Sequence, residues 1–141
     1  QWIDSLSKAI VVWTFKINKI SMKKYTSMYF GIASREIKSA STDFARDYGP
    51  SYCLSNKGFT YSKSTFLDQL ESFDFEDGDL VTFTLNLKSQ KLSVTLDKDG
   101  KKGSNIEFGA VKVSDDIQYK FVFQMEANGN SVTLTNFEMK Y

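Results

Sequence analysis

The sequence predicts an all-β fold, an antiparallel sandwich of two sheets. Three observations support this prediction. Apolar and polar residues alternate with a period of two over several segments of strand length, which is typical of strands with one buried face. No segment has the long helical pattern needed to connect parallel strands, so antiparallel pairing is expected. Aromatic residues make up 15% of the chain, and large rings suit a core between two packed sheets.

Four segments show the alternation clearly. In each of them, every second residue is apolar, and most of the residues between are polar. The apolar positions are therefore expected to face the core. They are Trp13, Phe15 and Ile17 in the first segment, Val81, Phe83, Leu85 and Leu87 in the second, Leu92, Val94 and Leu96 in the third, and Tyr119, Phe121, Phe123 and Met125 in the fourth.

One more strand and one short helical turn are predicted outside these four segments. A last strand is expected to begin at Val132, paired with the fourth segment through the Asn- and Gly-rich stretch 127–130, which is favourable hairpin chemistry. Evidence for a helix is confined to the segment 64–73, where Phe66, Leu67 and Leu70 have helical spacing. One short helical turn is predicted there.

The length of the chain suits a single domain, and its nearly balanced charges give no strong electrostatic field. The 141 residues carry 18 Lys plus Arg and 17 Asp plus Glu, a net charge of +1. We treat 1–141 as a single domain and expect neither nucleic acid nor a membrane as its partner. The basic turn of Lys23 and Lys24 is interpreted as a hairpin tip. Because the chain begins at Gln1 instead of Met, we expect it to be excised from a longer protein.

The chain contains no His and one cysteine, Cys53. A zinc site of the usual Cys and His ligands and a Ser-His-Asp or Cys-His nucleophile therefore cannot be assembled within it. We expect no catalytic residue, no metal and no cofactor, and thus no enzyme activity. A single thiol, without any Asn-x-Ser/Thr sequon, favours an intracellular location, cytoplasmic or nuclear.

Two acidic segments resemble sites of known chemistry. In the run 71–79, Asp74 and Glu76 have the alternate spacing of a sandwich glycosidase. Phe73 and Phe75 occupy the opposite phase, so a solvated acidic turn anchored by these rings is the favoured interpretation, and substituting either carboxylate should leave ligand binding intact. The segment 97–100 lacks the later ligands of a calcium loop and is predicted to be a hairpin turn.

Four ordered motifs carry a resemblance to a known family. They are Trp13-Thr14-Phe15-Lys16-Ile17, then Tyr29-Phe30-Gly31-Ile32, then Gly78-Asp79 at the entry to a hydrophobic strand, then a strand from Leu92 that ends at Asp99-Gly100. In this order they resemble the SPRY family over about residues 10 to 137. The resemblance implies a concanavalin A-like jelly roll that works as a protein-recognition module.

The resemblance also implies where a partner would bind. The family's peptide-gripping loops correspond to two stretches here, residues 44–48 at the end of a long polar connection over 34–48, and the late hairpin over 126–130. We expect both at one end of the sandwich, with an Arg fork and aromatic anchors from the first and amides from the second. The candidate partner-binding residues are Phe44, Arg46, Asp47 and Tyr48 in the first stretch, and Glu126, Asn128 and Asn130 in the second.

Three functions follow as hypotheses. The first is a non-enzymatic module that binds a segment of a partner protein, as the recognition part of a larger assembly such as a ubiquitin ligase or scaffold. The second is a carbohydrate-binding sandwich, with Tyr25, Tyr61 or Tyr119 as the aromatic platform. The third is a structural domain of a multi-subunit complex.

Overall fold

The computed structural model describes residues 2–19, 28–36, 48–55, 57–62, 65–98, 105–111, 113, 117–125 and 131–141. Nearly all of these residues lie in β-strands, and a 3₁₀ turn at Ser5–Ser7 follows the first strand. The strands are β1 (Ile3–Asp4), β2 (Ile10–Lys19), β3 (Met28–Glu36), β4 (Tyr48–Ser55), β5 (Lys57–Ser62), β6 (Thr65–Asp74), β7 (Leu80–Asn86), β8 (Lys91–Asp97), β9 (Asn105–Ala110), β10 (Ile117–Met125) and β11 (Ser131–Lys140).

The strands form two antiparallel sheets. Sheet A has six strands in the order β1-β10-β3-β4-β5-β6, and sheet B has five in the order β11-β2-β7-β8-β9. Neighbouring strands pair antiparallel in both sheets. The predicted all-β sandwich is confirmed. No helix in the described part of the chain is long and apolar enough to cross a membrane.

The centre of sheet B follows directly from the sequence pattern. In β2, β7 and β8 buried residues alternate with half-buried or exposed ones. The register aligns Trp13 with Phe83 and Phe83 with Val94, so the apolar sets of three strands share one face. These strands are held in register by that face, because a slip of one residue would turn every apolar side chain to solvent.

One aromatic side chain of sheet A, that of Phe121, packs against three aromatic rings of sheet B. Phe121 of β10 stacks on Phe15 with ring centroids 4.5 Å apart. Its ring also lies 5.5 Å from Trp13 and meets Phe83 edge-on at 5.1 Å. Offset and edge-on geometries are the favourable ones for aromatic pairs. Six of the residues predicted to face the core therefore lie between the sheets: Trp13, Phe15, Phe83, Leu85 and Val94 are buried, and Phe121 packs against them half-buried.

The helical turn predicted over 64–73 is wrong. Residues Thr65–Asp74 form strand β6, at the edge of sheet A, where Thr60 aligns with Asp68 and Ser62 with Thr65. The spacing of the apolar residues was ambiguous over so short a run, and pairing with β5 decided the conformation. The sequence carries no such information about a neighbouring strand, so period alone could not resolve this segment.

The hairpin predicted between the last two strands is also wrong. β10 lies in sheet A, whereas β11 lies at the edge of sheet B and pairs with β2. The chain thus passes from one sheet to the other between Met125 and Ser131. The Asn- and Gly-rich composition correctly marked a break between strands, but such a break fits a crossing between sheets as well as a hairpin.

Burial of a tyrosine in β4 gives a test in alkaline solution. Tyr52 faces the core edge-on to Phe108, with ring centroids 6.4 Å apart. Burial raises the pKa of the Tyr52 hydroxyl above its usual value near 10. Folding therefore favours the neutral phenol. Its contribution to stability is complete below the unfolded pKa and is lost as the pH rises through the folded pKa.

We expect the free energy of unfolding, measured with urea, to fall as the pH rises above about 10. In Tyr52→Phe this decline should be shallower, because the variant has no phenol to ionise there. Tyr141→Phe is the control, since Tyr141 is 76% exposed. Equal pH dependence in the wild type and Tyr52→Phe would contradict the burial effect.

Candidate functional site

The structure describes little of the surface predicted from sequence. Phe44, Arg46 and Asp47 lie outside the described residues, as do Glu126, Asn128 and Asn130. Tyr48 is placed, but in a strand: it is the first residue of β4 and aligns with Arg35 of β3. The connection predicted over 34–48 is thus shorter than expected, because its first three residues complete β3.

The described residues that flank the two predicted loops lie at opposite ends of sheet A. β3 ends at Glu36, which aligns with Ile117 at the start of β10. β10 ends at Met125, which aligns with Met28 at the start of β3. Eight residue steps separate these ends, about 26 Å at the usual rise of a strand. The two stretches therefore attach to sheet A at opposite ends, and the binding surface expected from them at one end of the sandwich stays a prediction.

The acidic turn is the next candidate, and one of its carboxylates is not solvated. Glu76 and Asp77 are exposed, as predicted, but Asp79 is only 3% exposed. Its Oδ2 accepts a hydrogen bond from the Glu76 amide at 2.8 Å and one from the Lys98 ammonium at 2.9 Å. Lys98 also lies 3.7 Å from the exposed Glu76 carboxylate. A buried carboxylate with two donors is a structural tie between the turn and the end of β8.

The same turn is fastened to β2. The Gly78 amide donates to the Ile17 carbonyl at 2.7 Å, and the Ile17 amide donates to the Asp79 carbonyl at 2.8 Å. Gly78 has a φ of +92°, a conformation that residues with a side chain rarely adopt. Phe75 anchors the turn from below, 5.6 Å from Phe30, as the sequence predicted. These contacts give the Gly-Asp pair a structural role: Gly78 permits the turn, and Asp79 links it to β2 and to the end of β8.

No grouping suited to metal binding is found among the described residues. Glu107, the first acidic residue after the segment 97–100, lies in β9 and is exposed, with a carboxylate oxygen 4.0 Å from the Lys91 ammonium. β8 and β9 are adjacent antiparallel strands. The hairpin turn predicted over 97–100 falls partly outside the described residues, which stop at 98 and resume at 105.

The aromatic platform proposed for a sugar is wrong for one of its three candidates. Tyr119 is fully buried in the core, facing the second sheet. Tyr61 lies in β5 opposite Cys53, and Tyr25 lies outside the described residues. Period-two alternation had already placed Tyr119 on a core-facing phase, and the structure confirms that phase.

The outer face of sheet B presents a row of hydroxyl and amide side chains. The register aligns one such residue from each strand, and none of these side chains is buried. Two neighbouring pairs in the row are hydrogen-bonded, at 3.2 Å between hydroxyls and at 3.4 Å from hydroxyl to amide oxygen. The row is Asn136, Thr14, Thr82, Thr95 and Asn105.

A different surface carries three of the four large apolar side chains that are exposed among the described residues. Leu134 is 52% exposed, Phe137 46% and Tyr141 76%; Leu6, at 50%, is the other large exposed apolar side chain among the described residues. Leu134 and Phe137 lie on β11, the edge strand of sheet B, and Tyr141 follows it directly. An edge strand that exposes apolar side chains is a ready template for another strand.

A β-bulge creates this apolar strip. Leu134 aligns with Phe15 and Asn136 with Thr14, so Thr135 is the extra residue. The bulge shifts the phase of β11 by one residue, and Phe137 consequently aligns with the core residue Trp13. The apolar residues on both sides of the bulge therefore share the inner face. We call this set the β11 strip: Val132, Leu134, Phe137 and Met139.

The Thr135 side chain stabilises the bulge. Its hydroxyl donates to the Thr14 carbonyl at 3.2 Å, which supplies a bond where the ladder is interrupted. On the inner face, the Phe137 ring lies 6.2 Å from Trp13. Val132 and Met139 are half-buried against the core, whereas Leu134 and Phe137 remain largely exposed.

Comparison with known proteins shows the fold. No protein-family model matches the sequence, and no curated protein matches it either. Among solved structures, the carbohydrate recognition domain of Emp46p in its potassium-bound form is similar at a TM-score of 0.51 and 11% identity, over 97% of this chain and 73% of that one. A human SPRY domain scores 0.49 at 15% identity, over 94% and 78%. Chicken galectin 2 scores 0.45 at 17% identity, over 99% and 97%.

The chain has the two-sheet β-sandwich fold of the Emp46p domain. At 11% identity the likeness concerns the fold alone, and one fold can host unrelated functions. The fold implied by the SPRY resemblance is therefore found, and the family itself is not shown.

Two features of the structure, the burial of Asp79 and the β11 strip, were not predicted from the sequence. The burial of Asp79 gave no signal beyond the Gly-Asp pair, because its exposed neighbours Glu76 and Asp77 are the same kinds of residue in the sequence. The β11 strip had a detectable signal: apolar residues at 132, 134, 137 and 139 break strict alternation by one residue. Such a break in phase is the pattern that a bulge leaves in a sequence.

Proposed function

We propose that this domain is a non-enzymatic protein-recognition module. The observation that carries the proposal is the β11 strip, an apolar surface on a strand at the edge of the described part of sheet B. Protein partners use such edges by adding a strand, with backbone hydrogen bonds for affinity and side-chain contacts for specificity. The sole buried carboxylate among the described side chains, that of Asp79, is held by two donors, which favours binding over catalysis.

The loop residues predicted from sequence belong to the same proposal. Arg46 would offer a forked donor to a carboxylate or carbonyl, between the aromatic anchors Phe44 and Tyr48, a composition typical of interface hot spots. Asp47 would complement a basic partner residue. The amides of Asn128 and Asn130, with Glu126, would contact a partner at the other attachment end of sheet A. We further propose an intracellular setting, within a larger assembly, from the single thiol.

Carbohydrate binding is the second candidate. The hydroxyl and amide row on the outer face of sheet B favours it, since sugars are bound through several polar groups on a rigid surface. The fold is also that of the Emp46p carbohydrate recognition domain. Against it, the described residues of that row include no aromatic side chain on which a sugar ring would stack.

One pair of screens separates the two candidates. The domain is panned against a peptide-display library, and the same preparation is applied to a glycan array. We expect selected peptides and no glycan signal. For a selected peptide, Arg46→Ala and Tyr48→Ala should each weaken binding by about 1 to 4 kcal/mol, measured by calorimetry, with little change in stability.

Lys23→Ala with Lys24→Ala is the control for that experiment, because it removes charge from a surface with no assigned role. If this double variant lost peptide binding while Arg46→Ala and Tyr48→Ala bound as the wild type does, the binding surface would be the basic turn of Lys23 and Lys24. A glycan signal without any selected peptide would replace the first proposal by the second.

A further inference from the structure

We propose that the β11 strip binds a second copy of this chain, as an antiparallel pair of edge strands about a two-fold axis. The inference rests on the proposed function, since it names the partner of that same edge. β11 is the last strand in the order of sheet B, so among the described residues no strand lies along one of its two sides. Two such edges would join the sheets of two molecules into one continuous sheet.

The sequence of β11 is complementary to itself in one antiparallel register. With the two-fold axis between Thr135 and Asn136, Leu134 faces Phe137 of the second copy, and Val132 faces Met139. All four members of the strip thus meet apolar partners. Because residues opposite each other share a face of a sheet, these contacts form on the inner face, where Leu134 and Phe137 are exposed in the single chain.

The polar residues of β11 fit the same register. Thr133 faces Glu138 of the second copy, and Ser131 faces Lys140, so no like charges are opposed. A slip of one residue would place Leu134 opposite Asn136 or Glu138. A slip of two would place Phe137 opposite Asn136 or Leu134 opposite Thr135. The pairing of apolar with apolar residues across the whole strand therefore selects one register.

The bulge at Thr135 is essential to this complementarity. Without the extra residue, Phe137 and Met139 would point to the outer face, away from Val132 and Leu134. The apolar residues of two copies would then meet polar ones. The Thr135 hydroxyl, bonded to the Thr14 carbonyl, helps to hold the phase shift in each chain.

Sedimentation velocity of the chain under reducing conditions tests the association. Pairing through one strand buries a small interface, so we expect a monomer–dimer equilibrium in the micromolar range. Leu134→Lys should raise the dissociation constant about tenfold or more, because a symmetric dimer contains the substituted residue twice in its interface. Leu6→Lys is the matched control: its side chain is 50% exposed against 52% for Leu134, but it lies in the 3₁₀ turn.

A cross-linking experiment tests the register itself. In a Cys53→Ser background, protein carrying Leu134→Cys is mixed with protein carrying Phe137→Cys, and the mixture is oxidised. These two positions face each other across the pair, within the reach of a disulfide. We expect covalent dimers in the mixture and few in either variant alone, where identical positions are three residues out of register.

Each result decides the inference. Concentration-dependent dimers weakened by Leu134→Lys but not by Leu6→Lys, with cross-links confined to the mixture, support it. A monomer at every concentration would overturn it, and the peptide-display screen would still judge the protein-recognition function separately. Dimers that survive Leu134→Lys, or equal cross-linking in the single variants, would also overturn it, placing the contact elsewhere or in another register.

Discussion

Phe83→Ala is expected to lower the free energy of unfolding by about 3 to 5 kcal/mol. Phe83 is fully buried in β7, the middle strand of sheet B, between Trp13 of β2 and Val94 of β8. Its ring also meets Phe121 of the opposite sheet edge-on at 5.1 Å. Truncation removes the apolar surface of the ring and leaves a cavity at the contact between the sheets. Urea denaturation followed by circular dichroism measures the loss.

Thr84→Ala is the matched control for that experiment. Thr84 is the next residue of the same strand, but it lies on the outer face and is half-buried. Its truncation should change the free energy of unfolding by about 0.5 kcal/mol or less. A loss below about 1 kcal/mol for Phe83→Ala would contradict the central position of this ring.

Asp79→Ala is expected to cost about 2 to 4 kcal/mol. The variant leaves the Glu76 amide without its acceptor and removes the nearer of the two carboxylates beside the Lys98 ammonium. Lys98 itself is 38% exposed, so it regains water, and the loss stays below that of a fully buried ion pair. Asp79→Asn retains an acceptor oxygen without the charge. The difference between the two variants in urea denaturation therefore separates the hydrogen bond from the ion pair.

Glu76→Gln provides the comparison. The Glu76 carboxylate lies 3.7 Å from the same ammonium, but its side chain is 75% exposed. Its substitution should cost about 1 kcal/mol or less, as exposed ion pairs usually do. If Asp79→Ala cost no more than Glu76→Gln, the backbone bonds between the turn and Ile17 would be sufficient to hold it, and the burial of Asp79 would need another explanation.

The failed predictions have a common cause. β6 was taken for a helical turn because Phe66, Leu67 and Leu70 fit a helix locally, although β5 lies beside the segment. β11 was assigned to β10 because the two are adjacent along the chain, although β11 pairs with β2. In each case the deciding interaction is with residues distant in sequence. Local composition and period contain no term for such a neighbour.

The candidate functional residues show the same difference between local sequence and contacts with distant residues. The sequence named Arg46 with its aromatic neighbours from composition and resemblance, and these residues remain a prediction. The β11 strip was missed because the bulge at Thr135 breaks the alternation on which strand assignment depends. Likewise, five carboxylates within nine residues look alike in sequence, and only the packing of the turn against β2 and β8 shows that Asp79 is buried.

The sequence by itself determined the fold class, the central strands and the residues between the sheets. Strict alternation in β2, β7 and β8 is enough for this, because one buried face fixes which side chains point inward. The tertiary structure alone decided which strands are neighbours, where the two predicted loops attach, and which apolar residues stay uncovered. These depend on the closure of one sheet over the other, which leaves the edge strand β11 only partly covered. That edge is a property of the assembled sandwich, since no single strand specifies what lies opposite it.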